Sequence, residues 1–206
     1  MHREILTANQ LKLLPLVKEF SRDYYLVGGT AIALYLGHRR SIDFDLFTSG
    51  RIKKQSIKRL IDRHKCPVSG ILFEDSEQLH LVIHDVKLTF FSYPYRIDAP
   101  TDFDQIIHIP DLLTLAAMKA YALGGRAKWK DYVDLYILLR DHFSLAQISE
   151  KSKDLFSAYY NEKLFREQLC YFQDIDYSEK VDFVVQPVSD EEIKKFLTHV
   201  ATTPFR

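Results

Sequence analysis

The chain has 206 residues, 47% of them hydrophobic and 13% aromatic, which is typical of one large or two small folded domains rather than a disordered chain. Lys plus Arg and Asp plus Glu both number 28, so the net charge of zero singles out neither nucleic acid nor a membrane surface as a partner. The two cysteines lack metal-ligand spacing, and no stretch has the length of a leader or a membrane span, so we expect a reduced, cytoplasmic protein with no membrane partner.

The first hundred residues alternate between helix and strand patterns. Short apolar runs bounded by turn residues indicate the strands, and apolar residues spaced three or four apart indicate the helices. The predicted elements are, in chain order, helix 9–20, strand 24–27, helix 30–36, strand 42–47, helix 52–64 and strands 68–73, 79–84 and 86–93.

Beyond Pro110 the apolar residues follow a period of about 3.6, which is typical of helices. The pattern predicts helices at 111–123, 128–142, 154–172 and 190–200. We therefore predict an α+β protein, with a mixed-sheet α/β domain over residues 1–105 and an all-helical domain over residues 106–206.

Gly28 and Gly29 lie where the first predicted strand turns into a helix. Glycine permits a positive φ and lets a ligand approach the backbone closely. The amides that open the helix, together with the Thr30 hydroxyl, could then bind a phosphate with help from the helix dipole. Taken alone, a tight turn with Thr30 as a helix cap is the simpler interpretation.

Asp43 and Asp45 form a carboxylate pair in the second predicted strand. Because side chains alternate along a strand, the two acids share one face, and Ile42, Phe44 and Leu46 should point into the core. Adjacent carboxylates repel unless a cation lies between them, and Mg²⁺ suits one or two carboxylates plus substrate phosphates. The pair alone is a weak signal, but its position after the glycine turn favours a metal site for phosphate chemistry.

Three polar residues lie between the glycine turn and the carboxylates. Arg39 could contact a triphosphate or form a structural ion pair with Asp43 or Asp45, and the sequence favours neither. Ser41 is as suited to a turn as to a ligand contact, and His38 is better explained as a structural residue.

Residues 28–47, GGTAIALYLGHRRSIDFDLF, resemble the signature of the nucleotidyltransferase-fold AbiEii/AbiGii toxin family, a branch of the polymerase-beta-like superfamily. A second match to the family pattern lies at residues 119–139, KAYALGGRAKWKDYVDLYILL. The matching residues are Gly28, Gly29, Thr30, His38, Arg39, Ser41, Asp43 and Asp45, followed by Lys119, Arg126, Lys130, Asp131 and Asp134.

The resemblance implies a nucleotidyltransferase fold and Mg²⁺-dependent transfer of a nucleoside monophosphate from an NTP to an acceptor. By that resemblance, Gly29, Thr30, Asp43 and Asp45 would bind nucleotide and metal. The nucleotide site would comprise Gly28, Gly29, Thr30, Arg39 and Ser41, and the metal ligands would be Asp43 and Asp45. Lys119 would contact the triphosphate and Asp131 would complete the active site. It also implies a toxin of an abortive-infection, type IV toxin–antitoxin system, with an RNA such as tRNA as acceptor and an antitoxin as partner.

The helical matches also have structural explanations. Asp131 and Asp134 lie three residues apart on an apolar helix, so both should face inward. Asp131 could simply favour the helix dipole, and a buried pair of Asp134 with Arg126 or Lys130 is the preferred interpretation of that acid. Lys119 could extend along an apolar helix to reach solvent.

The sequence departs from the fold's usual pattern at Thr89, where a later strand would normally carry a third acid. Asp85 lies in the adjoining turn, too far from the strand centre. Either Asp131 takes over that role or activity is weakened. Two alternatives therefore stay open, a catalytically silent nucleotide- or partner-binding module and a nucleotidyltransferase for a small molecule of the aminoglycoside type.

Segment 51–65 carries seven basic residues. They could attract an RNA acceptor through phosphate contacts, but a solvated helix face is the commoner explanation.

The aromatic residues Phe90, Phe91, Tyr93 and Tyr95 lie close together near the end of the last predicted strand. They are interpreted as core residues rather than as a stacking surface.

Overall fold

The computed structural model describes residues 1–125 and 127–204, which form two compact units, Met1–Asp111 and Leu112–Arg206. The division falls later than the predicted boundary at residue 105. The reason is that a short strand at Ile107–Ile109 contacts the first strand of the N-terminal unit.

The N-terminal unit contains a five-stranded mixed sheet, as predicted. The elements are α1 Ala8–Glu19, β1 Tyr25–Val27, α2 Gly28–Leu36, β2 Phe44–Thr48, α3 Lys54–Arg63, β3 Val68–Glu74, β4 Gln78–Ile83, β5 Val86–Ser92, β6 Thr101–Phe103 and β7 Ile107–Ile109. The strand order in the sheet is β1-β2-β5-β4-β3, with β2 and β5 parallel and the other neighbours antiparallel. A separate hairpin of β6 and β7 was not predicted, because each of its strands has only three residues.

One face of the sheet forms the core of this unit. Leu46, Phe90 and Leu79 stand side by side on β2, β5 and β4, and all three are fully buried. The rings of Phe20 and Tyr24, at and beyond the end of α1, pack edge-on against Phe90 at centroid distances of 4.9 and 5.3 Å. Because strand side chains alternate, the residues between these apolar positions face the other side of the sheet.

Several basic side chains of α3 form ion pairs. Lys54 and Lys58 contact Glu74 at 3.2 and 3.7 Å, and Arg63 lies 3.9 Å from Glu19. These contacts support the interpretation of the basic segment as a solvated helix face.

The C-terminal unit is helical, with helices α4 Leu112–Leu123, α5 Trp129–Asp141, α6 Leu145–Phe156, α7 Glu162–Leu169 and α8 Asp190–Thr202. The prediction of one helix over 154–172 is wrong. The chain turns at Ser157, where φ is +49°, and Asn161 caps a new helix by accepting a hydrogen bond from the Leu164 amide. None of the helices within residues 1–125 and 127–204 is long and apolar enough to cross a membrane.

Candidate active site

Gly28 places the start of α2 against β2. Its φ is +72°, the backbone conformation that the glycine turn predicted. A β-carbon at this position would overlap Oδ2 of Asp45, so no side chain fits between α2 and this carboxylate. The opening turn of α2 and the carboxylate of Asp45 are therefore immediate neighbours.

Gly29 packs against two polar side chains. A β-carbon on Gly29 would lie 2.7 Å from Nη2 of Arg39 and 3.2 Å from Oγ of Ser41. Arg39 is only 1% exposed, and its Nη1 donates a hydrogen bond to the carbonyl of Arg40 at 3.0 Å. A buried guanidinium beside the first turn of a helix adds positive charge where the helix dipole is already positive. Both features stabilise negative charge at this place, whether it comes from a phosphate or from a carboxylate of the protein.

Thr30 does not cap α2, contrary to the simpler of the two interpretations. The N-cap is Val27, whose apolar side chain cannot accept a hydrogen bond from the first-turn amides. The buried hydroxyl of Thr30 instead donates to the carbonyl of Asp43. This bond ties the first turn of α2 to the segment that leads into β2.

Asp45 lies inside β2, opposite Val27 of β1 and Thr89 of β5. Asp43 precedes the strand, and both acids are partly exposed. The prediction that Ile42 faces the core is wrong, since its exposure is 49%. Strand alternation does not extend to Ile42, because β2 begins two residues later, at Phe44.

Lys87 is a neighbour of the candidate site that the sequence did not reveal. Its Nζ lies 3.4 Å from Oδ2 of Asp43, and both side chains are partly buried. Lys87 lies on β5, which runs parallel to β2, so the contact depends on strand pairing. Its spacing of two from Thr89 is the only local signal, because it places both residues on the same face of β5.

Thr89 occupies the position at which the fold usually carries a third acid. Thr89 stands in register with Asp45 on one side and with His80 of β4 on the other. Burial chiefly, followed by the charge of Lys87, lowers the pKa of His80 below its ordinary value, although Asp45 acts in the opposite direction. The imidazole is therefore neutral near pH 7.

A divalent metal fits the two acids. The carboxylate of Asp45 lies beside Gly28 at the start of α2, and Asp43 lies two residues earlier in the chain. Mg²⁺ accepts one or two carboxylates when substrate phosphates supply further oxygens. Within the described residues, no group of three or more His, Cys, Asp or Glu side chains could hold a metal.

The C-terminal unit holds a buried ion-pair network. Nζ of Lys119 lies 2.6 Å from Oδ1 of Asp131 and 3.0 Å from Oδ2 of Asp134, and the three side chains are at most 5% exposed. The alternative that Lys119 extends to solvent is therefore wrong. Of the two partners suggested for Asp134, Lys130 pairs with Glu179 instead, and Arg126 lies outside the described residues. A contribution of Lys119 and Asp131 to catalysis stays a prediction.

These features define a class of protein. A glycine turn opens a helix directly beside an aspartate on the next strand, and that strand lies in a mixed sheet flanked by helices, which is the arrangement of a nucleotidyltransferase. The family model for the nucleotidyl transferase AbiEii toxin of type IV toxin–antitoxin systems matches residues 16–205. The chain belongs to this family of toxin nucleotidyltransferases.

Individual proteins are similar to this chain in sequence or in fold. An uncharacterised protein of Aquifex aeolicus (strain VF5) is 32% identical over 181 residues, which is 84% of each chain. The fold is similar to that of MenT4, a nucleotidyltransferase toxin of Mycobacterium tuberculosis H37Rv, with a TM-score of 0.64 and 11% identity over 94% of this chain and 80% of that one. It is also similar to JHP933 of Helicobacter pylori, with a TM-score of 0.57 and 16% identity over 94% and 88% of the two chains.

Proposed function

We propose that this toxin transfers a nucleoside monophosphate from an NTP to an RNA acceptor such as tRNA, in the presence of Mg²⁺. The observation that carries the proposal is the direct apposition of Gly28, at the start of α2, to the carboxylate of Asp45. It brings helix amides suited to phosphate and a carboxylate suited to a metal to the same place.

The residues of the N-terminal unit have distinct roles in this proposal. The first-turn amides of α2, with Arg39 and Ser41 beside Gly29, bind and orient the phosphates. Asp43 and Asp45 would hold Mg²⁺, which would offset the charge of the phosphates and so favour attack by the acceptor oxygen. Lys87 balances part of the negative charge of Asp43 before substrate binds.

Lys119 and Asp131 are assigned to the same reaction by family resemblance. We propose that Lys119 contacts the triphosphate and that Asp131 accepts the acceptor's proton or ligates the metal. Their ion pair of 2.6 Å holds each side chain in one orientation, which is a reason to expect that the two act together.

The cellular setting is part of the proposal. A type IV toxin acts with a cognate antitoxin, and we propose a cytoplasmic role in abortive infection for this chain. RNA is the proposed acceptor because the resemblance to the toxin family implies it. A small cationic acceptor of the aminoglycoside type is the alternative.

The deciding experiment incubates the protein with each labelled NTP, Mg²⁺ and either total RNA or an aminoglycoside. Asp45→Asn is the test variant, and Asp23→Asn is its matched control, because Asp23 is a half-exposed surface acid paired with Lys53 in the same unit. We expect labelled RNA from the wild type and from Asp23→Asn, and none from Asp45→Asn. If label appears on the aminoglycoside and not on RNA, the acceptor is a small molecule rather than RNA.

Two results would reject nucleotidyl transfer at this site. One is the absence of transfer from any NTP to either acceptor, and the other is equal transfer by Asp45→Asn. NTP binding without transfer would indicate that the chain, with Thr89 opposite Asp45, is a silent nucleotide-binding module.

A further inference from the structure

Three aromatic rings cluster on the same face of the sheet as Asp45. Phe47 of β2 and Phe91 of β5 are in register, with ring centroids 5.0 Å apart and planes nearly perpendicular. Tyr93, just beyond β5, contacts both rings, at 5.0 Å from Phe47 and 5.7 Å from Phe91. We call Phe47, Phe91 and Tyr93 the aromatic row.

The aromatic row directly continues the candidate active site. Phe47 lies two residues after Asp45, and Phe91 lies two residues after Thr89. Residues two apart on a strand share a face and are about 7 Å apart along it. The rings of Phe47 and Phe91 are therefore the next side chains along this face from Asp45 and Thr89. This spacing is comparable to the distance that a ribose spans between a phosphate and its base.

The burial of these rings differs from that of a core cluster. Phe90, on the opposite face of β5, is 0% exposed, as the interpretation of the aromatics as core residues requires. Tyr93 is also buried, at 8%, but Phe47 and Phe91 are only partly buried. The row thus has a buried support in Tyr93 and two rings with accessible surface.

We propose that the aromatic row binds a nucleobase by stacking, with Phe47 and Phe91 as the contacting rings. The inference rests on the proposed function, because it takes the phosphates to lie at Gly28 and Asp45. Aromatic rings stack on any base, since every base has a π-face. Two sources present this chemistry near the reacting phosphate, the base of the NTP and the terminal base of an RNA acceptor.

The test measures binding with Mg²⁺ of three probes, ATP, inorganic triphosphate and a short RNA with a free 3′ end. The variants are Phe47→Leu and Phe91→Leu, and the matched control is Phe73→Leu, because Phe73 is a 46% exposed ring on β3 of the same sheet. If the NTP base stacks on the row, both variants bind ATP about tenfold more weakly and inorganic triphosphate as tightly as the wild type. If the acceptor base stacks there, the loss appears with RNA instead.

A further variant tests stacking without the risk that a leucine substitution weakens binding by destabilising the sheet. Phe47→Trp keeps a large ring and adds a fluorophore to a chain whose one tryptophan is Trp129. Relative to the wild type, the fluorescence of this variant should be quenched by the probe that carries the stacked base. Inorganic triphosphate should not quench it. Wild-type binding of every probe by both leucine variants, with no quenching of Phe47→Trp, would overturn the aromatic-row inference alone. If the wild type binds neither ATP nor inorganic triphosphate, the proposed function is overturned as well.

Discussion

Gly28 and Asp45 are in such close contact that a single methyl group on Gly28 would overlap the carboxylate oxygen Oδ2 of Asp45. The φ of +72° at Gly28 independently disfavours any residue with a side chain. The two constraints have different origins, one in the site and one in the backbone. Together they make this glycine the position where the first turn of α2 meets the carboxylate of Asp45.

The first prediction concerns Gly28→Ala. The new methyl group must displace Asp45 or shift α2, and a residue with positive φ adds about 1–3 kcal/mol of strain. We expect nucleotidyl transfer to fall at least about tenfold, by analogy with other displacements of reacting groups by about 1 Å. Initial rates with NTP and acceptor, together with a thermal melt, measure both effects.

Gly70→Ala is the matched control for this substitution. A β-carbon at Gly70 would meet no atom within 4 Å, and its φ is not positive. We expect wild-type transfer from this variant. Equal rates for the two alanine variants would show that the contact between Gly28 and Asp45 has no part in catalysis.

The second prediction concerns Lys87→Gln. The Lys87 ammonium lies 3.4 Å from Asp43 and would compete with a divalent cation bound to the same carboxylate. Its removal should therefore lower the Mg²⁺ concentration that gives half-maximal transfer, by about threefold for a partly exposed pair. The measurement is a Mg²⁺ titration at saturating NTP.

Lys53→Gln removes the same charge from a surface pair with Asp23 and serves as the control. We expect its Mg²⁺ titration to match that of the wild type. An unchanged or higher Mg²⁺ requirement in Lys87→Gln would indicate that Lys87 contacts the substrate rather than competing with the metal.

The sequence predicted the parts of the site that depend on local rules. A glycine pair between strand and helix predicted the positive φ at Gly28, and strand alternation predicted that Asp45 faces away from Leu46 and the core. The alternation rule failed at Ile42 because β2 begins at Phe44. Element ends depend on hydrogen bonds that a single sequence does not specify.

Contacts between distant elements could not be predicted. Lys87 meets Asp43 only because β5 pairs in parallel with β2, and the partners of Lys119 lie on a different helix. The break between α6 and α7 was missed because Ser157 has a positive φ without being glycine. Composition gives no sign of such a turn.

The third prediction concerns Lys119→Met. The substitution removes the ammonium that contacts both Asp131 and Asp134, and it leaves two carboxylates in a site at most 5% exposed. Loss of one partner from a buried ion pair costs about 3–5 kcal/mol. We expect the C-terminal unit of Lys119→Met to unfold at a lower urea midpoint than that of the wild type. Far-ultraviolet circular dichroism measures this midpoint.

Lys153→Met provides the comparison for Lys119→Met. Lys153 pairs with Glu162 from a side chain that is 58% exposed, so its loss should cost at most about 1 kcal/mol. A similar midpoint for the two methionine variants would contradict the buried network.

The fourth prediction concerns the effect of pH on the ion pairs of Glu179. The Nζ atoms of Lys128 and Lys130 lie 2.6 and 2.5 Å from the carboxylate oxygens of Glu179. Burial is the largest single influence and acts to raise the pKa of Glu179, but hydrogen bonds and charge from the two lysines outweigh it and lower the pKa to about 2. Because this pKa lies below the ordinary value of 4.5, the ion pairs stabilise the fold above about pH 4.5, and that stability is lost as the pH falls towards 2.

Glu179→Gln should therefore melt at a lower temperature than the wild type at pH 7, and the difference should shrink as the pH falls from about 4.5 towards 2. Glu150→Gln, at an exposed glutamate of the same unit, should follow the wild type throughout. Melting temperatures of the three proteins between pH 2 and pH 7 make the comparison. A difference that stays constant over this range would mean that Glu179 stabilises the fold through packing, because ionisation of its carboxyl group would then contribute nothing.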